Sequence, residues 1–410
     1  MSEFVFAAEE LPPKPVAALA VHSTESRRQD PWRTVEIRSV EQLEQLTGRK
    51  LPAAEHEAVQ RVLDQHPARL TGHLTQLVRC SPAVAAQYLP DPRELEGPGE
   101  TDPFVGLIPT GVRGVERLYL DRCVVMPVAR CPAHCRFCFR RHHRHRRPDA
   151  RPLDQEELTA ALAYVAGDRR LREVLVTGGE PILDRRRLER LLAGLRQPGM
   201  EHVGPLRVAC RTLASAPGLI DAELVALLAR HQDLRAGRPV EVAAHLNHPD
   251  EIGPATVDAL IRLREAGLHV YNQVVLLRGI NSEAAVMADL LWMLRRRGVE
   301  TYAIFFGEPV LGGDHLRANL AQARALKSEL RRGGSGRCNP HLIVTTRVGK
   351  VELDVDGWEV EREADGRTVW LRTPYTLEGF RSLDPRFELP QGARVDDAGC
   401  IEVRYLDGPR

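Results

Sequence analysis

From about Leu118 the chain alternates short β-rich apolar runs with longer amphipathic stretches. The runs are CVVMPVA (123–129), EVLVTG (173–178), LRVACRT (206–212), VEVAAHL (240–246), HVYNQVVLL (269–277) and TYAIFF (301–306). Between them, DQEELTAALAYVAG, LERLLAGLR, AELVALLARH, ATVDALIRLREAG and AAVMADLLWMLRRRG repeat apolar residues at three- and four-residue steps. That is the period of a helix burying one face. Six strand-and-helix units in series predict an α/β fold with a parallel sheet. The expected form is a partial (β/α)6-type TIM barrel whose carboxyl edge carries the chemistry.

The rhythm differs at both ends. Residues 31–90 carry helical spacing in VEQLEQLTG and AAEHEAVQRVLDQH, and LPDPRELEGPGETDP (89–103), with four prolines and two glycines, reads as a linker. RRGGSGR (331–337) reads as a flexible joint. Beyond it HLIVTT, GKVELDVDG, WEVERE and RTVWLRT read as short strands, with DG at 356–357 and 365–366 as hairpin turns. The expected division is a mainly helical region with linker over 1–103, the barrel over 104–335 and a small β-rich extension over 336–410. The first 30 residues, rich in Pro, Ala and polar side chains, read as partly disordered.

Composition narrows the partners. With 57 Lys+Arg against 56 Asp+Glu there is no global field to draw nucleic acid or an acidic membrane. No stretch approaches the ~18 apolar residues of a membrane span, and MSEFVFAAEELPPKP lacks a basic start followed by an apolar run. The expected location is the cytoplasm. The eight cysteines are too few for a disulfide scaffold, and three of them crowd together.

That crowd is RCPAHCRFCFRR (130–141), where Cys131, Cys135 and Cys138 form CxxxCxxC just after the first run. Three thiolates on one loop can ligate three irons of a 4Fe-4S cluster and leave the fourth open. Zinc would want a fourth ligand, usually from a second separated pair, and although His134 or His142 could be recruited, no second CxxC or HxxxH follows. After the second run comes VTGGEP (176–181). Gly178 and Gly179 would let a ligand's ammonium approach the backbone, and Glu180 would offer it an anion. The basic run RRHHRHRR (140–147) reads as a loop beside an anionic substrate before it reads as a nucleic-acid patch. His245 and His248, spaced HxxH, read as shaping a pocket by hydrogen bonding.

Together these motifs resemble the radical S-adenosylmethionine (SAM) superfamily, with Phe137 as the aromatic residue before the last cysteine. The resemblance narrows to the lysine 2,3-aminomutase family over about residues 89–355. It is carried by YLDR (119–122), CPAHCRFCFRR (131–141), AHLNHPDEI (244–252), NQVVLLRGIN (272–281) and RCNPHLIVTTRVGK (337–350). It implies that Cys131, Cys135 and Cys138 hold the cluster. Gly178, Gly179, Glu180, Phe137, His245 and Asn247 would then surround SAM, the source of a 5′-deoxyadenosyl radical. It also implies that Lys350 holds pyridoxal 5′-phosphate (PLP), with Tyr119, Arg122 and Gln273 around that cofactor. Arg140 would take the substrate's carboxylate, and Glu308 its distal ammonium.

The family pattern is broken in places. TTRV (345–348) lacks the glycines that precede the PLP lysine and is about two residues short. Thr345 stands where a second acid reads lysine, and Leu118 stands where an arginine meets the phosphate, with Arg117 beside it. The implied activity is an isomerase: a 2,3-amino shift on a small amino acid, lysine-like or otherwise polar or basic. It would be fed by a reductant such as a flavodoxin or ferredoxin, in a chain that could form a homo-oligomer. The alternatives are radical desaturation, elimination or oxidation of the amino acid, or PLP-free modification of RNA or a protein lysine.

Overall fold

The computed structural model describes residues 33–103, 110–142, 151–353 and 358–409. Two short strands come first, β1 (Thr34–Ile37) and β2 (Ala68–Thr71). A nine-stranded sheet then holds β3 (Val115–Arg117), β4 (Arg122–Val128), β5 (Glu173–Gly178), β6 (Leu206–Cys210), β7 (Val240–Ala244), β8 (His269–Leu276), β9 (Glu300–Phe306), β10 (His341–Thr346) and β11 (Gly349–Glu352). Its strands neighbour one another in chain order. From β4 to β10 every pairing is parallel, whereas β3 and β11 close the two edges antiparallel. A separate antiparallel sheet, β12 (Trp358–Arg362), β13 (Thr368–Thr376), β14 (Ala393–Val395) and β15 (Cys400–Leu406), pairs in the order β12-β13-β15-β14.

The six expected strands are β4 to β9, and each expected helix between them forms. Helix Gln155–Gly167 starts at a capping box on Asp154, and helices Arg185–Gly194 and Ala222–Ala229 start under the Asp184 and Asp221 side chains. Pro254 opens Pro254–Glu265, where a missing N–H costs nothing.

The strands alternate in burial. Cys123 and Val125 of β4, Val174 and Val176 of β5, and Leu206 and Val208 of β6 are buried in the main core with the helices. The intervening residues, Arg122, Val124, Glu173, Leu175, Arg207 and Ala209, are only half-buried. The helix-covered face is therefore packed, and the concave face, only half-buried, lines the lumen of a half-barrel.

Four regions depart from the sequence reading. HLIVTT is β10, the seventh parallel strand, so the sheet runs past the boundary drawn at 335. The supposed joint before it is the end of helix Leu320–Gly333 followed by a 3-10 turn at Gly336–Cys338. The mainly helical region before residue 103 contains β1 and β2, each four residues long and too short to display a period of two. The proline-rich stretch is packed rather than loose: Pro92–Leu95 is a capped 3-10 turn, and a Cβ on Gly99 would lie 2.5 Å from the Leu311 nitrogen. The Asp365-Gly366 turn forms, with Gly366 at φ 70°. The first 30 residues, positions 143–147 of the basic run and the DG at 356–357 lie outside the described residues. Among those described, no helix is long and apolar enough to cross a membrane.

Candidate active site at the carboxyl edge and lumen of the sheet

The cysteine loop leaves β4 at the carboxyl edge, with Cys131, Cys135 and Cys138 half-buried. Residues before 103 grip it from outside. The His134 amide donates to the Arg69 carbonyl (3.0 Å) and the Arg136 amide to that of Gln87 (2.8 Å). The His134 Nδ1–H donates to the Pro67 carbonyl at 2.9 Å. Ala133 and Cys135 pack on the small core built from Val59, Leu63, Leu70 and Leu74. Glu94 receives Arg136 through both carboxylate oxygens, at 2.8 and 2.5 Å, and also Arg141. Burial opposes its charge, yet the two guanidiniums hold the Glu94 carboxyl below the usual range.

The GGE turn meets the loop from inside. Gly178 has φ 103°, and a Cβ there would lie 2.8 Å from the Met126 Cβ. One on Gly179 would lie 2.4 Å from the Arg130 carbonyl oxygen. The amides of Gly179 and Glu180 donate to the carbonyls of Val128 (2.6 Å) and Arg130 (2.9 Å). Both glycines thus let β5 lie against the root of the cysteine loop, a packing reason beyond the ligand approach expected from sequence. Glu180 is buried and accepts the Arg211 amide at 2.9 Å.

Arg211, which sequence reading missed, organises the next strand ends. Its guanidinium donates to Glu251 (2.6 Å), Gln87 (2.8 Å) and the His245 carbonyl (2.6 Å), and lies 5.6 Å from the Phe137 ring. Phe137 in turn meets the His245 ring at 5.7 Å. Burial, then the Arg211 cation, pushes His245 well below its ordinary pKa, so it is neutral at pH 7. Asn247 is fully buried and spans strands: its amide oxygen accepts from the Val275 N–H (3.0 Å) and its amide nitrogen donates to Gln87 (3.1 Å). His248 caps the turn at Pro249–Glu251 through the Asp250 amide.

Three buried atoms here, Arg211 Nε, Thr212 Oγ1 and His245 Nε2, have no hydrogen-bond partner among the described residues. Orphaned polar atoms on consecutive strand ends beside three thiols fit a polar ligand such as SAM, and the donor set of the loop fits a cluster.

Lys350 lies on β11 directly opposite Thr345 of β10, so the two share the concave face. The hairpin forms without the family's glycines: Thr346 donates its hydroxyl to the Gly349 carbonyl (2.8 Å) and accepts the Val348 amide (3.3 Å). Two phenols clamp the Lys350 backbone. Its N–H donates to the Tyr119 hydroxyl at 2.9 Å, and the Tyr375 hydroxyl donates to its carbonyl at 2.7 Å. Gly349, at φ 132°, is needed because a Cβ would lie 2.6 Å from the Tyr375 ring. The amine lies 4.7 Å from the Phe305 ring centroid. Burial, then the Arg207 and Arg122 cations, lowers its pKa to about 8.

Arg122 stacks 3.7 Å above the Tyr119 ring. Arg207 donates to Glu173 (2.9 Å) and to the Tyr271 hydroxyl. Tyr302 stands 5.3 Å from Tyr271 and 6.0 Å from Phe305, with its hydroxyl 3.5 Å from Gln273. Arg117 does not replace the missing phosphate arginine, since it turns outward to Asp168 (2.7 Å) and the carbonyls of Tyr119 and Leu120. A desolvated amine in an open lumen, beside two cations, fits PLP. Glu308 sits on this side as well. Burial pushes its carboxyl up to about 8, although the Thr345 hydroxyl, Arg317 and Lys350 all favour its charge. Glu308 and Thr345 line a cavity of about 250 Å³ with Arg347, Arg404 and Tyr405. Arg140 grips Glu116 of β3 through both nitrogens, at 2.9 and 2.8 Å, a partner that nothing in the sequence announced.

Residues 125–291 match the radical SAM superfamily. The L-lysine 2,3-aminomutase of Acetoanaerobium sticklandii is 30% identical over 319 residues, covering 76% of this chain and 74% of that one. The enzyme of the same name from Fusobacterium nucleatum is 29% identical over 321 residues, covering 76% and 72%. The glutamate 2,3-aminomutase of Clostridioides difficile is 31% identical over 238 residues, covering 57% and 54%.

Proposed function

The chain belongs to the lysine 2,3-aminomutase family of the radical SAM superfamily, and on that premise we propose that it moves the amino group of a small amino acid between its α and β carbons. The observation that carries this reading is the Lys350 amine, brought to about 8 by burial and by the Arg207 and Arg122 cations on the face it shares with Thr345. A structural lysine on a hairpin would need no such desolvation. When bound, the cluster with SAM supplies a carbon radical for hydrogen abstraction, and PLP supplies an electron-accepting carbonyl for the migrating nitrogen.

In this reading Cys131, Cys135 and Cys138 hold the cluster, while Glu180, Arg211, Thr212 and His245 take the polar groups of SAM. Lys350 loses its proton readily and holds PLP, with Arg122 and Arg207 offering charge to its phosphate and Tyr119 fixing the lysine backbone. Arg140 orients the substrate by its carboxylate. At the far end the family's two acids are replaced by Glu308, which retains its proton near pH 7, and the Thr345 hydroxyl. That pair suits a polar side chain, or a basic one that takes up the proton, better than it selects lysine alone.

The test is to incubate reduced, reconstituted protein with SAM, PLP and each common amino acid, following 5′-deoxyadenosine and product mass. A product of unchanged mass and altered retention time, lost in Lys350→Ala, supports the amino shift. Loss of ammonia or of two mass units points to elimination or desaturation instead.

A further inference from the structure

We infer that Glu116 is a built-in competitor for the substrate's carboxylate, seated in the fork of Arg140 until a ligand displaces it. The inference rests on the amino-acid reading above and adds a residue that sets affinity and specificity within it.

Glu116 lies on β3 opposite Val124, and a directly opposed pair shares a face, which places its side chain on the concave side with Arg122. Its neighbours Val115 and Arg117 are buried on the other side and fix the strand. Both Glu116 oxygens meet Arg140, at 2.9 and 2.8 Å. Two parallel N–H···O bonds are also how a guanidinium takes the carboxylate of an amino acid. The fork cannot hold two carboxylates in this way at once.

The partners are unequally exposed. The Arg140 side chain is 18% exposed and that of Glu116 is 48% exposed. The Phe139 ring lies 4.9 Å from the guanidinium. Arg140 is therefore the more enclosed member, and Glu116, half in water, is the one placed to swing out of the fork. The other carboxylate that binds this loop, Glu94, has a side chain only 1% exposed and cannot leave in the same way. An amino acid entering the lumen exchanges one bidentate pair for another, so its carboxylate gains little net affinity. Its side chain and amine must supply the selectivity. An α-amide, which cannot fill the fork, binds without evicting Glu116.

Titration calorimetry on cluster-, SAM- and PLP-loaded protein tests this with L-lysine, L-arginine and L-glutamine, each as acid and as α-amide. In Glu116→Gln the acids should bind about twofold to fivefold more tightly than in the unsubstituted protein, with the α-amides unmoved. A general loosening or tightening of the fold would move acids and amides together, and that result overturns the inference. So does equal or weaker binding of the acids in the variant. If neither protein binds any of the acids or amides, the amino-acid reading itself fails and takes this one with it.

Discussion

The rim that holds the cysteine loop and the lumen that holds Lys350 are built from opposite materials. At the rim, charged groups are buried and paired: Glu94 with Arg136 and Arg141, and Arg211 with Glu251, whose carboxylate side chains are no more than 1% exposed. In the lumen, Arg140–Glu116 and Arg207–Glu173 face a half-open space, with carboxylates 48% and 28% exposed. Removing one partner of a buried pair costs about 3–5 kcal/mol, whereas exposed pairs are worth about 0–1 kcal/mol. The rim is therefore set to keep a permanent group in one geometry. The lumen is set to let charges change partners as ligands enter and leave.

The strongest way to break this contrast is at the rim's chemistry. Replacing Cys131, Cys135 and Cys138 together by Ala should abolish SAM cleavage under reducing conditions. Continued 5′-deoxyadenosine production would remove the cluster assignment. Next, Glu94→Gln should lower unfolding free energy by about 3–5 kcal/mol and reduce iron bound per chain, because it leaves two buried guanidiniums without their shared carboxylate. Urea titration and iron analysis read both, and a loss below about 1 kcal/mol would make the rim no firmer than the lumen.

In the lumen the sharper probe is pH. The Lys350 amine must be neutral to react, its pKa is lowered to about 8, and its neutral fraction rises with pH. The rate of PLP incorporation should therefore climb about tenfold from pH 7 and level off above about pH 9. A lysine of ordinary pKa would go on rising past pH 10. The smallest effect is expected from Tyr375→Phe, which removes the hydroxyl bond to the Lys350 carbonyl. It should cost about 0.5–1.5 kcal/mol and raise amide exchange along β11, with the rim unchanged.

The rim and lumen also differ in how far sequence reveals them. CxxxCxxC and GGE are local strings at strand ends, and six strands with their helices follow from period alone. Lys350 was legible only through resemblance, which also named Tyr119 and Arg122 near it but not Tyr375 or Arg207. Tyr119 lies 231 residues away and Tyr375 lies 25 residues away on another sheet, so no window of sequence contains the clamp. Glu94 was hidden inside a stretch whose prolines and glycines look like a spacer but which folds against 309–312. Glu116 stands on a three-residue strand, too short for alternation to declare its face. The seventh parallel strand is hidden by the glycines of 331–337 before it, which have the composition of a joint but end a helix.

The phenolic clamp on Lys350 has a consequence for how the molecule is made. Its two jaws come from before β4 and from β13, so the lysine hairpin cannot be secured until nearly the whole chain has left the ribosome. The cysteine loop needs only contacts with residues up to about 316 and can settle earlier. Domains and subdomains tend to fold as they emerge. On the proposed reading the cysteine loop can settle before the lysine hairpin is held, and a chain cut short after β11 would lack the Tyr375 jaw on Lys350.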